Sequence, residues 1–420
     1  MKATFKKHYH WIIVAAVLLE LFVYGGICNN LNGLFVIPVT EGLGISRTSF
    51  SFAWLLKSIM SFAGALLSGM VLRRFGYKKC VGTLLITGAL GLILLSCSQD
   101  VFMLCVGAGI MGFSDGACMT AGPSRIINSW FHRHRGTVLG CVTAATGLGG
   151  SVICIVLTAI MERSNWQTAY LFDGILLLFM SLLIWLVIKD RPENMGLKPY
   201  GEGELNSKQQ KTKKPQWEGR NLNELYRKPF FYMMLAGTAL SCFLAYMPFI
   251  SAVPHLQDCG LSQQQATLMQ SVMLLALAAS KLLAGVLCDK IGAKLVTVLC
   301  LVSTLLCLVS MTMVNNLLSA TVSMILLAMA LPLTALVVPL LTTEVFGYKG
   351  QTTSIGICVS MVQIGGMVAG PVVQSTFDTF GSYRPAYWAG ALGTVLVIGL
   401  YLAMYWLAEK DKKKYLIMQK

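Results

Sequence analysis

The sequence predicts an all-α integral membrane protein with twelve transmembrane helices in two six-helix bundles. Three observations predict it: an apolar composition, twelve apolar stretches of membrane-spanning length, and a motif that recurs 216 residues later, from Gly69 to Gly285. Of the 420 residues, 55% are hydrophobic and 12% are charged, whereas soluble domains usually carry roughly 25% charged residues. The mean hydropathy is +0.68. This composition excludes a water-soluble globule and a disordered chain.

Each apolar stretch is long enough to form one membrane-spanning helix. About 20 helical residues cross a hydrocarbon layer of ~30 Å, because each residue rises by about 1.5 Å. The first stretch is longer than this, and Pro38 predicts a break in it. It resembles a signal peptide but has no small-x-small cleavage site before Asn29, so we expect a retained helix. The stretches cover residues 11–38, 50–72, 81–98, 101–123, 136–160, 168–189, 230–253, 265–288, 294–314, 318–341, 352–376 and 385–408.

The distribution of basic residues predicts the orientation of the chain in the membrane. Alternate loops place 28 of the 33 Lys and Arg residues on one side, together with both termini and residues 190–229. Loops rich in Lys and Arg stay in the cytoplasm. We therefore expect a multi-pass protein of the cell membrane with both termini in the cytoplasm. The net charge of +15 is then a topology signal, and we expect no nucleic-acid partner.

The chain is organised as a doubled unit. The segment from Gly69 to Lys78 follows the second apolar stretch, and a similar segment from Gly285 to Lys294 follows the eighth. A second pair of segments, Trp166 to Tyr170 and Tyr383 to Tyr387, recurs at nearly the same interval. A polar stretch rich in Lys, Gln and Glu separates the halves and predicts a solvated linker. The predicted organisation is an N-terminal bundle over 1–189, a cytoplasmic linker over 190–229 and a C-terminal bundle over 230–420.

The repeated segment resembles the G-x-x-x-D-[RK]-x-G-x-[KR] signature of the major facilitator superfamily. The second copy matches fully, whereas the first has Arg73 where the family has Asp. The resemblance implies two bundles around a central cavity that open alternately to each side of the membrane. It also implies a gating role for the motif, because the family's Asp helps to close the cytoplasmic side. The gating residues so implied are Gly69, Arg73, Arg74, Gly76, Gly285, Asp289, Lys290 and Gly292.

Three further segments resemble the oxalate/formate antiporter and monocarboxylate porter group. Residues 128–136 resemble the W-F-x-x-[KR]-R-G loop of this group, and residues 343–347 resemble its [DE]-[IV]-F-G stretch. Lys281 lies eight residues before Asp289, where the antiporter places a substrate-binding Arg. The resemblance therefore implies a transporter of small organic anions.

Five charged residues fall inside the apolar stretches, where each charge costs ~2.5–3.5 kcal/mol. Lys281, Glu20 and Asp115 lie roughly 12 Å or more from the cytoplasmic ends of their helices, too deep to reach water easily. Lys57 lies about 10 Å from the outer end of its helix and is expected to snorkel there. Asp173 lies near the outer end of helix six and is interpreted as structural or interfacial.

Lys281 is the first candidate for substrate binding, because a buried ammonium requires an anion. The alternative is a structural pair with Asp115 or Glu20. Those two carboxyl groups are themselves candidates for proton coupling, since burial favours a neutral carboxyl group. Lys57 is a further candidate for substrate binding.

Three polar side chains complete the candidate substrate site. The resemblance places Asn29 and Asn30 where the antiporter group has substrate-contacting residues, and hydrogen bonding between helices is the alternative role. It also brings Val362 to the position of the antiporter's second cation, with Gln363 beside it. One central cation suits a monocarboxylate better than a dicarboxylate held at both ends.

The sequence therefore predicts a secondary transporter of a small organic anion, with a monocarboxylate favoured, that works by antiport or proton symport. Its expected partners are the substrate and the lipid bilayer, and the expected state is a monomer. No enzymatic activity, cofactor or metal is expected, since the chain lacks nucleophile motifs, metal-ligand spacings and a phosphate-binding loop. A G-x-G-x-x-G pattern at 107–112 lies inside a predicted helix. A cation or drug exporter of the same fold and a transport-like sensor without flux remain alternatives.

Overall fold

The computed structural model describes residues 9–119, 122–131, 135–195, 197, 199–200, 222–347 and 351–418. This part of the chain is helical nearly throughout and contains no strand, apart from one isolated bridge between Phe131 and Tyr200. The helices are α1 Tyr9–Glu20, α2 Gly26–Asn30, α3 Asn32–Leu43, α4 Arg47–Ser96, α5 Val101–Met119, α6 Gly122–Trp130, α7 Arg135–Arg163, α8 Trp166–Val187, α9 Leu222–Leu225, α10 Pro229–Asp258, α11 Gln263–Ile291, α12 Ala293–Thr312, α13 Leu317–Ala330, α14 Val338–Phe346, α15 Gln351–Phe380 and α16 Arg384–Met418.

Within these described ranges, eleven helical segments are long and apolar enough to cross a membrane. The tenth predicted stretch is divided into shorter pieces. It begins as α13, passes through Pro332 into a π-helical turn, Leu333–Val337, and continues as α14. A proline donates no backbone hydrogen bond, and π-turns interrupt the regular ladder, so the division follows from this local sequence.

The first predicted stretch is also discontinuous, but its break does not lie at Pro38. α1 passes into a π-helical turn, Leu21–Gly25, and then into α2, and the helix breaks at Leu31 with φ −111° and ψ 6°. Pro38 lies inside α3. The expected break near Pro38 is therefore wrong by seven residues. The physical reason is that a side chain of another helix, Lys57, bonds the backbone carbonyl of Cys28 just before the break.

The chain divides into two compact units, Met1–Lys213 and Lys214–Lys420. The division falls inside the predicted linker. The first unit contains α1 to α8, and its largest helix pairing joins α4 to α5. In the second unit α10 packs against α15, and α13 packs against both α11 and α12.

Small residues bring α4 and α5 into backbone contact in the first unit. A Cβ atom added at Gly112 would lie 2.1 Å from the backbone oxygen of Lys57, and one added at Gly116 would lie 1.7 Å from that of Ser61. The Gly112-x-x-x-Gly116 pattern therefore forms a contact surface, as small-x-x-x-small patterns do between membrane helices. This contact brings Asp115, the residue just before Gly116, to the helix that carries Lys57.

Substitution of Gly116 by Ala is expected to destabilise the first unit. The added methyl group would overlap the Ser61 carbonyl, and overpacking typically costs ~1–3 kcal/mol. The matched control is Gly140→Ala in α7, where no atom lies within 4 Å of the added Cβ and the higher helix propensity of Ala favours folding. Thermal unfolding of the purified variants in detergent would compare the two. Equal stability of both variants would contradict the contact described here.

Candidate functional site

A buried ion pair joins α4 to α5 in the first unit. The Lys57 Nζ atom lies 2.9 Å from Asp115 Oδ2, and the two side chains are 7% and 5% exposed. Lys57 also donates to the Cys28 backbone oxygen at 3.0 Å, and the Ser61 hydroxyl lies 3.4 Å from the same Asp115 oxygen. The expected snorkelling of Lys57 is therefore wrong, because its side chain turns into the bundle towards the carboxylate. The pair fixes the end of α2 against α4 and α5.

Two further polar contacts follow the same face of the first stretch. The Tyr24 hydroxyl, inside the π-helical turn, bonds the Ser114 hydroxyl at 2.8 Å, and Ser114 donates to the Leu84 backbone oxygen at 2.5 Å. One turn earlier, the Tyr77 hydroxyl donates to Glu20 Oε2. Glu20, Tyr24 and Cys28 thus lie along one line and meet partners from α4 and α5. We call these contacts, with the Lys57–Asp115 pair, the polar ladder of the first unit.

Glu20 differs from Asp115 in its partners. Its side chain is fully buried, and its second oxygen, Oε1, has no hydrogen-bond partner among the described residues. The two predicted proton-coupling candidates therefore occupy different environments. Asp115 is paired with a cation, whereas Glu20 is bonded by one neutral hydroxyl.

Asn30 makes a contact between helices. Its side-chain nitrogen donates to the Thr146 backbone oxygen in α7 at 3.0 Å. This is the helix-bonding role that the sequence left open beside substrate contact. The Asn29 backbone lies in α2, but its side chain is outside the described part of the structure.

Asp173 is buried inside the first unit. Its side chain is 1% exposed, and its Oδ1 atom has no hydrogen-bond partner within the described ranges. The interfacial interpretation is therefore excluded, and the structural one remains. The sequence does not predict that Asp173 is buried, because a position near a helix end is equally compatible with exposure.

Lys281 lies on the buried face of α11 in the second unit. Leu277 and Ala284, one turn to either side, are each 5% exposed, whereas Leu282 and Val286 on another face are 61% and 52% exposed. Residues three or four apart share one face of a helix. Lys281 is itself half-buried, and it has no hydrogen bond or ion pair with any residue of the described ranges. Its ammonium therefore has no counter-ion supplied by the described chain.

Gln363 projects from the face of α15 that is not packed within the second unit. Val362 and Ala369 are 8% and 0% exposed, whereas Gln363 is exposed. The small or polar residues Gly356 and Ser360 lie seven and three positions earlier and share its face. The exposed Val359 lies four positions before Gln363 on the same face, so the exposed surface of α15 mixes apolar residues with Gly, Ser and Gln.

The gating motif of the first unit forms the turn between the two spans of α4. Gly76 adopts φ +80°, a conformation that glycine tolerates best. Asp190, after α8, accepts a hydrogen bond from the Lys78 backbone nitrogen at 2.7 Å, and the Lys78 ammonium lies 5.8 Å from the Trp185 ring centre. Arg74 is exposed. The side chain of Arg73 and the surroundings of Gly69 are outside the described part of the structure.

The second unit repeats this turn with related contacts. Gly292 adopts φ +86° between α11 and α12, and the Ala293 nitrogen donates to Glu344 Oε2 at 3.0 Å. Lys294, the counterpart of Lys78, lies 5.1 Å from the Tyr405 ring centre and bonds Glu409 at 2.9 Å. In both units the lysine therefore ties the turn to the unit's last spanning helix. Asp289 and Lys290 are exposed, and Gly285 lies on α11 before the turn.

Sequence reasoning missed Tyr77 and Ser114. Tyr77 stands at a variable position of the gating motif, and its counterpart in the second copy is Ala293. Ser114 precedes Asp115 and could have been found from the glycines on either side of it. No cluster of metal-ligating side chains is present in the part of the chain that the structure describes.

Comparison with known proteins places these features in a family context. The sequence profile of the Major Facilitator Superfamily matches residues 17–258 and 234–417. Monocarboxylate transporter 2 of Homo sapiens is 24% identical over 63% of this chain and 56% of its own length. The fujikurins efflux protein of Gibberella fujikuroi is 22% identical over 67% of this chain and 57% of its own. The chain thus spans a little over half the length of these two relatives.

Solved structures show the same fold. The crystal structure of the nucleoside transporter NupG superposes with a TM-score of 0.72 at 12% sequence identity. The match covers 94% of this chain and 99% of that one. At this identity the likeness is evidence for the fold of the chain alone.

Proposed function

The chain belongs to the major facilitator superfamily and is a multi-pass membrane transporter, and on this premise we propose that its substrate is a small organic anion, with a monocarboxylate favoured. The observation that carries the proposal is Lys281. Lys281 lies on the buried face of α11, and its ammonium has no counter-ion among the described residues. A half-buried cation of this kind is stabilised by an anion, and a substrate carboxylate supplies one.

The single cation favours one carboxylate over two. Val362 occupies the place where the resemblance predicts a second cation, and the neighbouring Gln363 offers an amide. An amide can donate to a carboxylate or to a neutral polar group, whereas it does not balance a second negative charge. A human relative named as a monocarboxylate transporter is consistent with this preference.

Export of a cation or drug by the same fold is the second candidate. The fungal relative named as an efflux protein favours it. In that case the buried carboxyl groups would bind a cationic substrate. Asp115 is a weak candidate for such binding because Lys57 already neutralises it.

The orientation follows from the basic loops. We propose that both termini and residues 190–229 face the cytoplasm, because 28 of the 33 basic residues lie on that side. Transport by alternating access would then expose the substrate site first on one side of the membrane and then on the other.

Uptake by proteoliposomes tests the proposed function. Purified protein would be reconstituted and offered labelled monocarboxylates, dicarboxylates and cationic dyes, with protein-free liposomes as the control. We expect saturable uptake of a monocarboxylate that unlabelled monocarboxylate inhibits. Transport of dyes alone would favour the exporter, and binding without flux would favour a sensor; either result would contradict the proposal.

A further inference from the structure

One face of α16 is exposed from Trp388 to Lys413. Its side chains recur every three or four residues, which places them on a single face of the helix. Tyr401 and Met404, on another face of the same turns, are 1% and 0% exposed. We call the exposed face the α16 stripe; before Lys413 it includes Trp388, Leu392, Val395, Leu402, Trp406 and Lys410.

The two tryptophans of the α16 stripe fit the two boundaries of a membrane. Trp388 and Trp406 are 49% and 62% exposed, and tryptophan is enriched at membrane–water interfaces. They stand 18 positions apart in the sequence, which corresponds to about 27 Å of helix and matches a hydrocarbon layer of ~30 Å. Lys410 and Lys413, one and two turns beyond Trp406, therefore lie at the level of the lipid headgroups.

The two lysines of the stripe are not balanced by the carboxylates of the same helix end. Those carboxylates bond lysines from elsewhere in the second unit: Glu409 lies 2.9 Å from Lys294, and Asp411 lies 2.8 Å from Lys228. The lysines of the stripe form no ion pair with the residues that the structure describes, and Lys413 acts on Glu409 only at longer range. The stripe therefore ends in positive charge.

One of these lysines lies beside the interfacial tryptophan. The Lys410 ammonium is 5.1 Å from the centre of the Trp406 ring, a distance typical of a cation–π contact. The ammonium and the indole N–H are both hydrogen-bond donors, and neither has an acceptor within the described ranges. The other exposed pair of this kind in the described chain, Arg74 over Phe75, belongs to the turn motif, and its ring carries no donor.

We propose that Trp406, Lys410 and Lys413 bind the headgroup of an anionic phospholipid, whose chains lie along the apolar part of the α16 stripe. The phosphate supplies the acceptor and the negative charge that this helix end lacks. A zwitterionic lipid fits less well, because its own ammonium group balances its phosphate. The inference is independent of the transported substrate. On the proposed orientation the lipid belongs to the cytoplasmic leaflet, whose surface is anionic.

Quenching of Trp406 fluorescence measures binding at this site. The protein would be reconstituted in phosphatidylcholine bilayers with increasing fractions of phosphatidylglycerol that has brominated chains, and the difference from Trp406→Phe isolates the signal. We expect brominated phosphatidylglycerol to be preferred over brominated phosphatidylcholine by about 5- to 30-fold, since each lysine near the surface contributes ~1 kcal/mol. High salt should reduce the preference because it screens exposed charges. Equal quenching by the two lipids would overturn the proposal.

Two single substitutions distinguish a binding site from a general attraction. Lys410→Gln removes a charge from the stripe and should reduce the preference roughly 5-fold. Lys412→Gln removes the same charge from another face of the helix and should leave the preference nearly unchanged. Equal losses in the two variants would mean that the whole cationic end attracts anionic lipid, and they would contradict a site on the stripe.

Thermal unfolding in detergent gives a second readout that does not depend on fluorescence. Added phosphatidylglycerol should raise the unfolding temperature of the parent more than phosphatidylcholine does, because a ligand that binds only the folded state stabilises it. Lys412→Gln should keep this difference, whereas Lys410→Gln/Lys413→Gln should show a smaller one. An undiminished difference in the double variant would also overturn the proposal.

Discussion

Replacement of Lys281 by Gln is expected to abolish anion transport, while the protein still inserts and folds. Lys281 lies between Leu277 and Ala284 on the buried face of α11, and its ammonium has no partner among the described residues. A charge-assisted hydrogen bond to a carboxylate is worth roughly 1.5–3 kcal/mol. Since about 1.4 kcal/mol corresponds to a factor of ten, substrate binding should weaken about 10- to 100-fold. Uptake and equilibrium binding in proteoliposomes would measure both quantities.

The conservative substitution separates charge from shape. Lys281→Arg should keep partial transport with altered selectivity, because a planar fork replaces a point charge. Lys189→Gln is the control, since this lysine is exposed after α8 and lies in the other unit. Full transport by Lys281→Gln would remove the main support for the proposed substrate class.

A structural role for Lys281 makes a different prediction. If Lys281 paired with Asp115 or Glu20, neutralising that carboxyl group as well would restore transport to Lys281→Gln. The structure gives these carboxyl groups other partners, Lys57 and Tyr77. We therefore expect no rescue from either double substitution, and a rescued double variant would identify Lys281 as a structural partner.

The family and the helical fold could be predicted from the sequence because they depend on patterns repeated over many residues. The length of the apolar stretches and the recurring Gly76 and Gly292 turns are examples, since each follows from local sequence alone. The break in the first stretch cannot be located from local sequence, because Pro38 is the only local signal and it lies inside α3. The side chain that bonds the Cys28 carbonyl, Lys57, comes from a distant part of the sequence.

The partners of buried charges could not be predicted in the same way. The position of Lys57 along its own helix predicts that its ammonium reaches the outer interface. In the structure the ammonium turns instead to the neighbouring helix, because the close contact at Gly112 and Gly116 brings Asp115 within reach. Glycine spacing beside a buried carboxylate was therefore a usable signal. The bond between Tyr77 and Glu20 has no such signal, since Tyr77 stands at a variable position of the gating motif and Glu20 belongs to no spacing pattern.

The Lys57–Asp115 pair leads to the second large expected effect, which concerns stability. Lys57→Met or Asp115→Leu alone should destabilise the protein by about 3–5 kcal/mol, because each leaves one buried charge without its partner. The double variant should regain most of this loss, since it removes both charges from the interior and fills the space with apolar atoms. Thermal unfolding of the purified proteins in detergent would give the three values relative to the parent.

The exposed pair Lys294–Glu409 provides the matched comparison. Its atoms lie 2.9 Å apart, as in the buried pair, but its side chains are 42% and 61% exposed. Solvent screens such a pair, and its removal typically costs ~0–1 kcal/mol. Lys294→Met should therefore shift the unfolding temperature far less than Lys57→Met. Equal stability of Lys294→Met and Lys57→Met would contradict this account of the buried pair. It would also be contradicted if the double variant Lys57→Met/Asp115→Leu were as unstable as the less stable of its two single variants. Either result would mean that the pair contributes to stability through something other than the mutual neutralisation of two buried charges.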